Sequence, residues 1–122
     1  MIWEFDFQSE IPLYLQVRNQ VVLSISRGEL KPGEKLPTIR ALSDESGINM
    51  MTISKAYQVL KSEGYVHTDR RSGTVIAKTA PQSQPSAETT DRLRLILAEL
   101  RLQGLSDPEI MNLCKKYLKE EL

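Results

Sequence analysis

With 122 residues, 40% of them apolar and 26% charged, the chain has room for one small domain with a short appendage, and its balance is that of a folded protein. Lys plus Arg equals Asp plus Glu at 16 each, so no global field draws the chain to nucleic acid and any such role needs a local basic face. One cysteine, Cys114, and one histidine, His67, exclude a disulfide framework and most protein-only zinc sites, and no apolar stretch approaches the roughly 20 residues of a membrane helix.

Residues 2–8 alternate, Trp3, Phe5 and Phe7 against Glu4, Asp6 and Gln8, which predicts a short half-buried strand. From Pro12 to about residue 27 the period turns helical. Tyr14, Val17, Val21 and Ile25, aided by Leu13, share one face, and Gly28 is placed to stop the helix. Residues 28–37 read as a turn-rich connector. Thr38 then caps a short helix that carries Ile39 and Leu42 inward and ends near Ser46. After a sharp turn at Gly47, Asn49 caps a third helix running to about Glu63, with Ile53, Ala56, Tyr57 and Leu60 on its inner face. One of Met50 and Met51 is expected to help close that core.

Tyr65 to Asp69 and Gly73 to Ala77 are β-prone runs on either side of a polar tip, Arg70-Arg71-Ser72, and predict a hairpin. Trp3, Phe5 and Phe7 are expected to pack on the first helix or on this hairpin. Residues 79–90, with Pro81, Pro85 and no large apolar side chain, read as a linker. The remainder, 91–122, predicts two helices. Leu93, Ile96, Leu97 and Leu100 form a face stopped by Gly104, and Ser106-Asp107-Pro108-Glu109 has capping-box spacing ahead of Ile110, Leu113, Cys114, Tyr117 and Leu118. Two helices so short cannot enclose a core of their own, so their stripes must pack on the first domain or on another chain; the expectation is a dimerisation element.

Three helices followed by a two-stranded wing make a mainly α winged helix-turn-helix, here over residues 1–78. A steep corner between its second and third helices needs a small residue at the contact, a glycine four positions on and a β-branched residue beyond, and Ser43, Gly47 and Ile53 occupy those places. The run from Gly28 through Lys35-Leu36-Pro37-Thr38-Ile39-Arg40 resembles the opening signature of the GntR family of bacterial transcription regulators. Gly47-Ile48, Thr52-Ile53, Leu60 with Glu63-Gly64-Tyr65, and Gly73-Thr74-Val75 continue it at the family's spacings. Ile11-Pro12-Leu13-Tyr14-Leu15-Gln16 and the short C-terminal region resemble the YtrA-type subfamily. The resemblance implies a homodimeric repressor, often of a transporter operon, with a compact helical dimerisation unit. It also implies DNA contact by Arg40 and by Thr52. Met50 stands where several relatives carry a base-reading arginine and Ser54 replaces another, so the docking mode carries over and an operator sequence does not.

The same face is chemically suited to DNA without the family. Asn49, Met51, Thr52 and Lys55, with Gln58 beyond them, point away from the inner stripe of the third helix, offering amide, hydroxyl and apolar contacts to base edges. Lys35, Arg40 and Lys55 are placed to hold phosphates, Arg70 and Arg71 to reach the flanking backbone or minor groove, and Thr38 is counted with them at its helix start. The expected partners are an inverted-repeat DNA operator, a second copy of the chain through Leu93, Ile96, Leu97, Leu100, Ile110, Leu113, Tyr117 and Leu118, and an unidentified small-molecule effector.

Without a signal-peptide pattern the expected place is the cytoplasm. No cofactor or metal is expected. A catalytic role is excluded by the lack of a nucleophile–His–carboxylate grouping, a phosphate-binding glycine loop or metal-ligand spacing. His67 reads as a polar wing residue and Cys114 as a small core hydrophobe. The competing reading is a winged-helix module that uses the same face to bind protein, which the zero net charge favours.

Overall fold

Pro12 opens the first helix, α1 (Leu13–Ser26), where a missing N–H is no loss; its carbonyl accepts from the amides of Leu15 and Gln16 at 3.0 and 3.1 Å. In the computed structural model, which describes residues 1–78 and 84–120, two further helices follow, α2 (Ile39–Ser46) and α3 (Met50–Ser62). A two-stranded antiparallel wing comes next, β1 (Val66–Asp69) paired with β2 (Gly73–Ile76) in the register Val66 to Ile76. Val17 and Val21 of α1, Leu42 of α2, and Ile53, Ala56 and Leu60 of α3 meet Ile48, Val66 and Ile76 in one buried cluster. Arg18 and Glu63 clasp α1 to the end of α3 with two hydrogen bonds, 3.1 and 2.6 Å, while the Arg18 guanidinium lies over the Tyr65 ring. The fold is a winged helix-turn-helix.

The expected N-terminal strand does not form. Residues 1–6 pair with no strand; they are pinned by side chains of α1. The Glu4 amide donates to Gln20 Oε1 at 3.0 Å and Gln20 Nε2 donates back to the Glu4 carbonyl. The Asp6 amide donates to Gln16 Oε1 at 2.9 Å, and Gln16 Nε2 returns a bond to the Asp6 carbonyl at 2.9 Å. Four residues of helix rise about 6.0 Å and two of extended chain about 6.7 Å, so glutamines one turn apart match alternate residues of the arm. Trp3 and Phe5, stacked at 5.8 Å, pack against the core, whereas Phe7 is 57% exposed because the chain turns away over residues 7–10.

The connector is more ordered than its glycines and prolines suggest. Lys35 bridges Val75, the Leu36 amide donates to the Thr74 carbonyl at 2.9 Å, and the Ile76 amide to the Glu34 carbonyl at 2.8 Å. It therefore runs along the free edge of β2 and covers it, with Leu30 and Leu36 buried as anchors.

The chain divides into two units, Met1–Thr79 and Ala80–Leu122. The second holds α4 (Ala87–Leu102) and α5 (Asp107–Glu120). Of the stretch expected as linker, residues 79–83 lie outside the described residues, and residues 87–90 belong to α4. That helix begins early because the Ser86 hydroxyl caps it, accepting from the Thr89 amide at 3.1 Å; its first turn is polar and carries no apolar period to announce it. The capping box of α5 forms: the Ser106 amide and hydroxyl donate to Glu109 Oε1 at 3.0 and 2.8 Å. Arg101 grips Asp107 across the turn at 3.1 and 3.2 Å. Ile110 is buried, while no residue of α4 is, and Leu93, Ile96, Tyr117 and Leu118 are more than half exposed. Among the described residues no helix is long and apolar enough to cross a membrane.

Candidate nucleic-acid interface

The corner between α2 and α3 is built from a glycine and two serine side chains. Gly47 takes φ +77°, a conformation any L side chain would resist, though nothing crowds the space its Cβ would fill. Ser43 donates to the Ile48 carbonyl at 2.6 Å, and Ser46 donates to the Leu42 carbonyl at 2.6 Å while accepting from the Ile48 amide at 3.1 Å. The backbone groups freed by the turn are thus bound locally. Below the corner, the Tyr57 hydroxyl donates to the Pro37 carbonyl at 2.7 Å, tying the start of α2 to the middle of α3. Burial pushes the Tyr57 phenol far above its ordinary range, so it stays a neutral donor.

Both helices present their N-termini to solvent. Thr38 Oγ1 accepts from the Ala41 amide at 3.0 Å and Asn49 Oδ1 from the Met51 amide at 2.7 Å. These two residues therefore serve first as caps. Neither α2 nor α3 has an acidic residue in its first turn, whereas α4 has Glu88 and α5 has Asp107 and Glu109. The positive ends of α4 and α5 carry their own carboxylates, whereas those of α2 and α3, like that of α1, do not.

Arg40 is exposed in the first turn of α2, and the ion pair that Asp44 one turn on could have formed is not made. Among the described residues no carboxylate pairs with Arg40, Lys35, Arg70 or Arg71. Lys35 is exposed beside β2, and Arg70 and Arg71 form the wing tip, where Asp69 Oδ1 accepts from the Arg71 amide at 2.9 Å. Met50 and Met51 are 46% and 81% exposed, so the expectation that one closes the core is corrected; the inner stripe starts only at Ile53, after the first turn has cleared the domain. Thr52 is half-buried, and Lys55 is exposed with its ammonium 4.0 Å from the centre of the Tyr14 ring.

Lys61, beside Ser54 and Gln58, is a part of this surface that the motif does not announce. Ser54, Gln58 and Lys61 line a groove of about 170 Å³ against Thr68 and Thr74 of the wing. Their spacing of four and three residues is a polar helical stripe, and Lys61 adds a cation to the wing side of α3. His67 is exposed on β1 and Cys114 half-buried on α5. Among the described residues no three His, Cys, Asp or Glu side chains gather as for a metal ion.

A helix-turn-helix corner whose two helix starts carry no acidic residue, with unpaired cations and an adjoining basic wing tip, defines a winged-helix protein of the nucleic-acid-binding class. The family model for bacterial regulatory proteins of the gntR family matches residues 13–76. The chain belongs to the GntR family of bacterial regulatory proteins. It is 37% identical to the HTH-type transcriptional regulator YhcF of Bacillus subtilis over 98 residues, 80% of this chain and 75% of that protein. It is 31% identical to the HTH-type transcriptional repressor YtrA of the same organism over 105 residues, 84% of this chain and 81% of that one, a likeness of the YtrA type. Among solved structures, a transcriptional antiterminator from Listeria monocytogenes EGD-e superposes with a TM-score of 0.90 at 28% identity, covering 99% of this chain and 92% of that one. The DNA-binding domain of AraR in complex with operator ORX1 superposes with a TM-score of 0.56 at 30% identity, covering 63% of this chain and 99% of that one.

Proposed function

We propose that this regulator is a homodimeric repressor that docks the α2–α3 corner in the major groove of an inverted-repeat operator and rests its wing tip on the flanking backbone. The observation that carries the reading is the pair of helix starts free of acidic residues, beside Arg40, Lys35, Arg70 and Arg71, none of which is paired within the described residues. Arg40, Lys35, Lys55, Arg70 and Arg71 hold phosphates, while Met51, Thr52 and Asn49 meet base edges. With no arginine on α3 to read guanine, the readout tolerates A/T and leans on phosphate contacts.

The α4–α5 unit supplies the dimer. A helix such as α4, with none of its residues fully buried, keeps Leu93 and Ile96 in water until another surface covers them. Arg94, Leu97, Ala98, Ile110 and Met111 line an open seam of about 440 Å³ between the two helices, which side chains of a second copy fill. Twofold pairing then sets recognition helices on half-sites about 10 base pairs apart. Repression of a transporter operon rests on the resemblance to YtrA-type regulators, release by a small-molecule effector is proposed beside it, and the site of action is the cytoplasm, where the chromosome lies.

Selection from a random duplex library at about 0.1 M salt tests the reading. Enrichment of an inverted repeat supports it. Failure to enrich any sequence, with folded protein at every salt concentration, would turn the winged face over to a protein partner.

A further inference from the structure

Lys55 stands on the outer face of α3, one turn beyond Met51 and opposite the buried Ile53, Ala56 and Leu60. Its ammonium is not left to range through solvent. Nζ lies 4.0 Å from the centroid of the Tyr14 ring, against 5.8 Å for Arg18 over Tyr65 and 5.7 Å for Lys116 over Tyr117. The platform is firm, because Tyr14 sits in the first turns of α1, half-buried and packed against the domain core. No carboxylate pairs with Lys55 among the described residues.

We propose that Tyr14 is a positioning residue for DNA binding: its ring holds the Lys55 ammonium at a fixed point on the outer face of α3, where a backbone phosphate meets it. The inference rests on the DNA-binding reading above. An aromatic face attracts a cation through its quadrupole but carries no net charge, so it orders the ammonium without neutralising it, as an aspartate in its place would. The ring occupies one side of a group that has three N–H donors, and the outer side remains open to an anion. A lysine free in solvent must be immobilised when it meets a phosphate, and having that side chain ordered beforehand is worth roughly two- to tenfold in affinity. The first helix thereby contributes to recognition without touching DNA.

The test uses the full chain and a long mixed-sequence DNA duplex, with affinity followed across a salt series from about 50 to 200 mM. Tyr14→Leu keeps apolar bulk and removes the ring face; it should weaken binding by roughly two- to tenfold. Tyr14→Phe keeps the face and should bind like the unsubstituted chain. Lys55→Gln should weaken binding and lower the salt slope by about one. In the Lys55→Gln background, Tyr14→Leu should add no further loss. A purely structural role for Tyr14 predicts the same loss in both backgrounds, and that result overturns the proposal, as does full affinity in Tyr14→Leu. Should Tyr14→Leu not fold, replacing Tyr14 by pentafluorophenylalanine keeps the shape and reverses the sign of the ring face. Weakened binding then supports the proposal and unchanged binding overturns it. If the unsubstituted chain fails to bind the duplex at low salt, the DNA reading falls and this inference with it.

Discussion

Tyr57 and Pro37 are joined by a single hydrogen bond, phenol to carbonyl at 2.7 Å, and the residue after that carbonyl is the cap of α2. The bond links the inner face of α3 to the point where the Arg40-bearing helix begins. Tyr57→Phe removes the donor, leaves the Pro37 carbonyl short of a partner and should destabilise the fold by about 1–2 kcal/mol in urea unfolding. Because Tyr57 binds its proton more tightly folded than unfolded, its contribution is complete below the unfolded value of about 10 and is lost as pH rises beyond it. The unsubstituted protein should therefore lose stability in alkali more steeply than Tyr57→Phe.

The side chains of Arg40, Arg70 and Arg71 make no hydrogen bond or ion pair within the described residues, which separates binding from folding. Arg40→Ala and the double change Arg70→Ala with Arg71→Ala should leave the melting temperature in place while weakening DNA binding. For every phosphate that is no longer neutralised, the plot of log affinity against log salt should flatten by about 0.9. A fall in melting temperature that accounts for the weaker binding would count against the interface.

Dimerisation is tested on α4. Ile96 is 52% exposed in the single chain, so Ile96→Glu places a charge at no folding penalty to the monomer yet buries it in the proposed interface. Sedimentation should show a dimer for the parent and a monomer for Ile96→Glu, with helicity partly lost from α4 and α5. A dimer of unchanged strength would move the interface elsewhere.

The α5 capping box makes an acid-range prediction. Hydrogen bonds from the Ser106 amide and hydroxyl hold the Glu109 carboxyl below its ordinary value. A depressed carboxylate lends its stabilisation above the unfolded value, about 4.3, and loses it as pH falls through the folded one. Helix content of the parent should thus decline below about pH 4, and Glu109→Gln should remove that part of the decline. Circular dichroism across the range checks it.

The helices and wing of the first unit could be read from sequence because local signals and tertiary needs agree there. Thr38 and Asn49 are caps by chemistry and caps in fact, and the inner stripe of α3 is buried as its period demands. The N-terminal arm misled because alternation reports an extended chain, not what it pairs with; Gln16 and Gln20 supply peptide-like groups that no strand pattern anticipates. The ordered edge along Glu34 to Leu36 was hidden because its pairing partner, Thr74 to Ile76, lies far along the chain and its flanking Pro and Gly signal a turn. The cationic face was legible in residue types, but the seat of Lys55 on Tyr14 depends on how α1 crosses α3, a relation that no spacing within one helix encodes.

The glutamine clamp bears on how the molecule behaves in a crowded solution. An extended N-terminus is ordinarily a free template on which another chain can pair, and such edges seed fibrils. Here the amides and carbonyls of Glu4 and Asp6 are already taken by side chains of α1. Gln16→Glu and Gln20→Glu nearly keep the shape but lose the donors, turning a carboxylate toward the two carbonyls. The released arm would then carry Trp3 and Phe5 out with it, and the first unit would acquire an adhesive end.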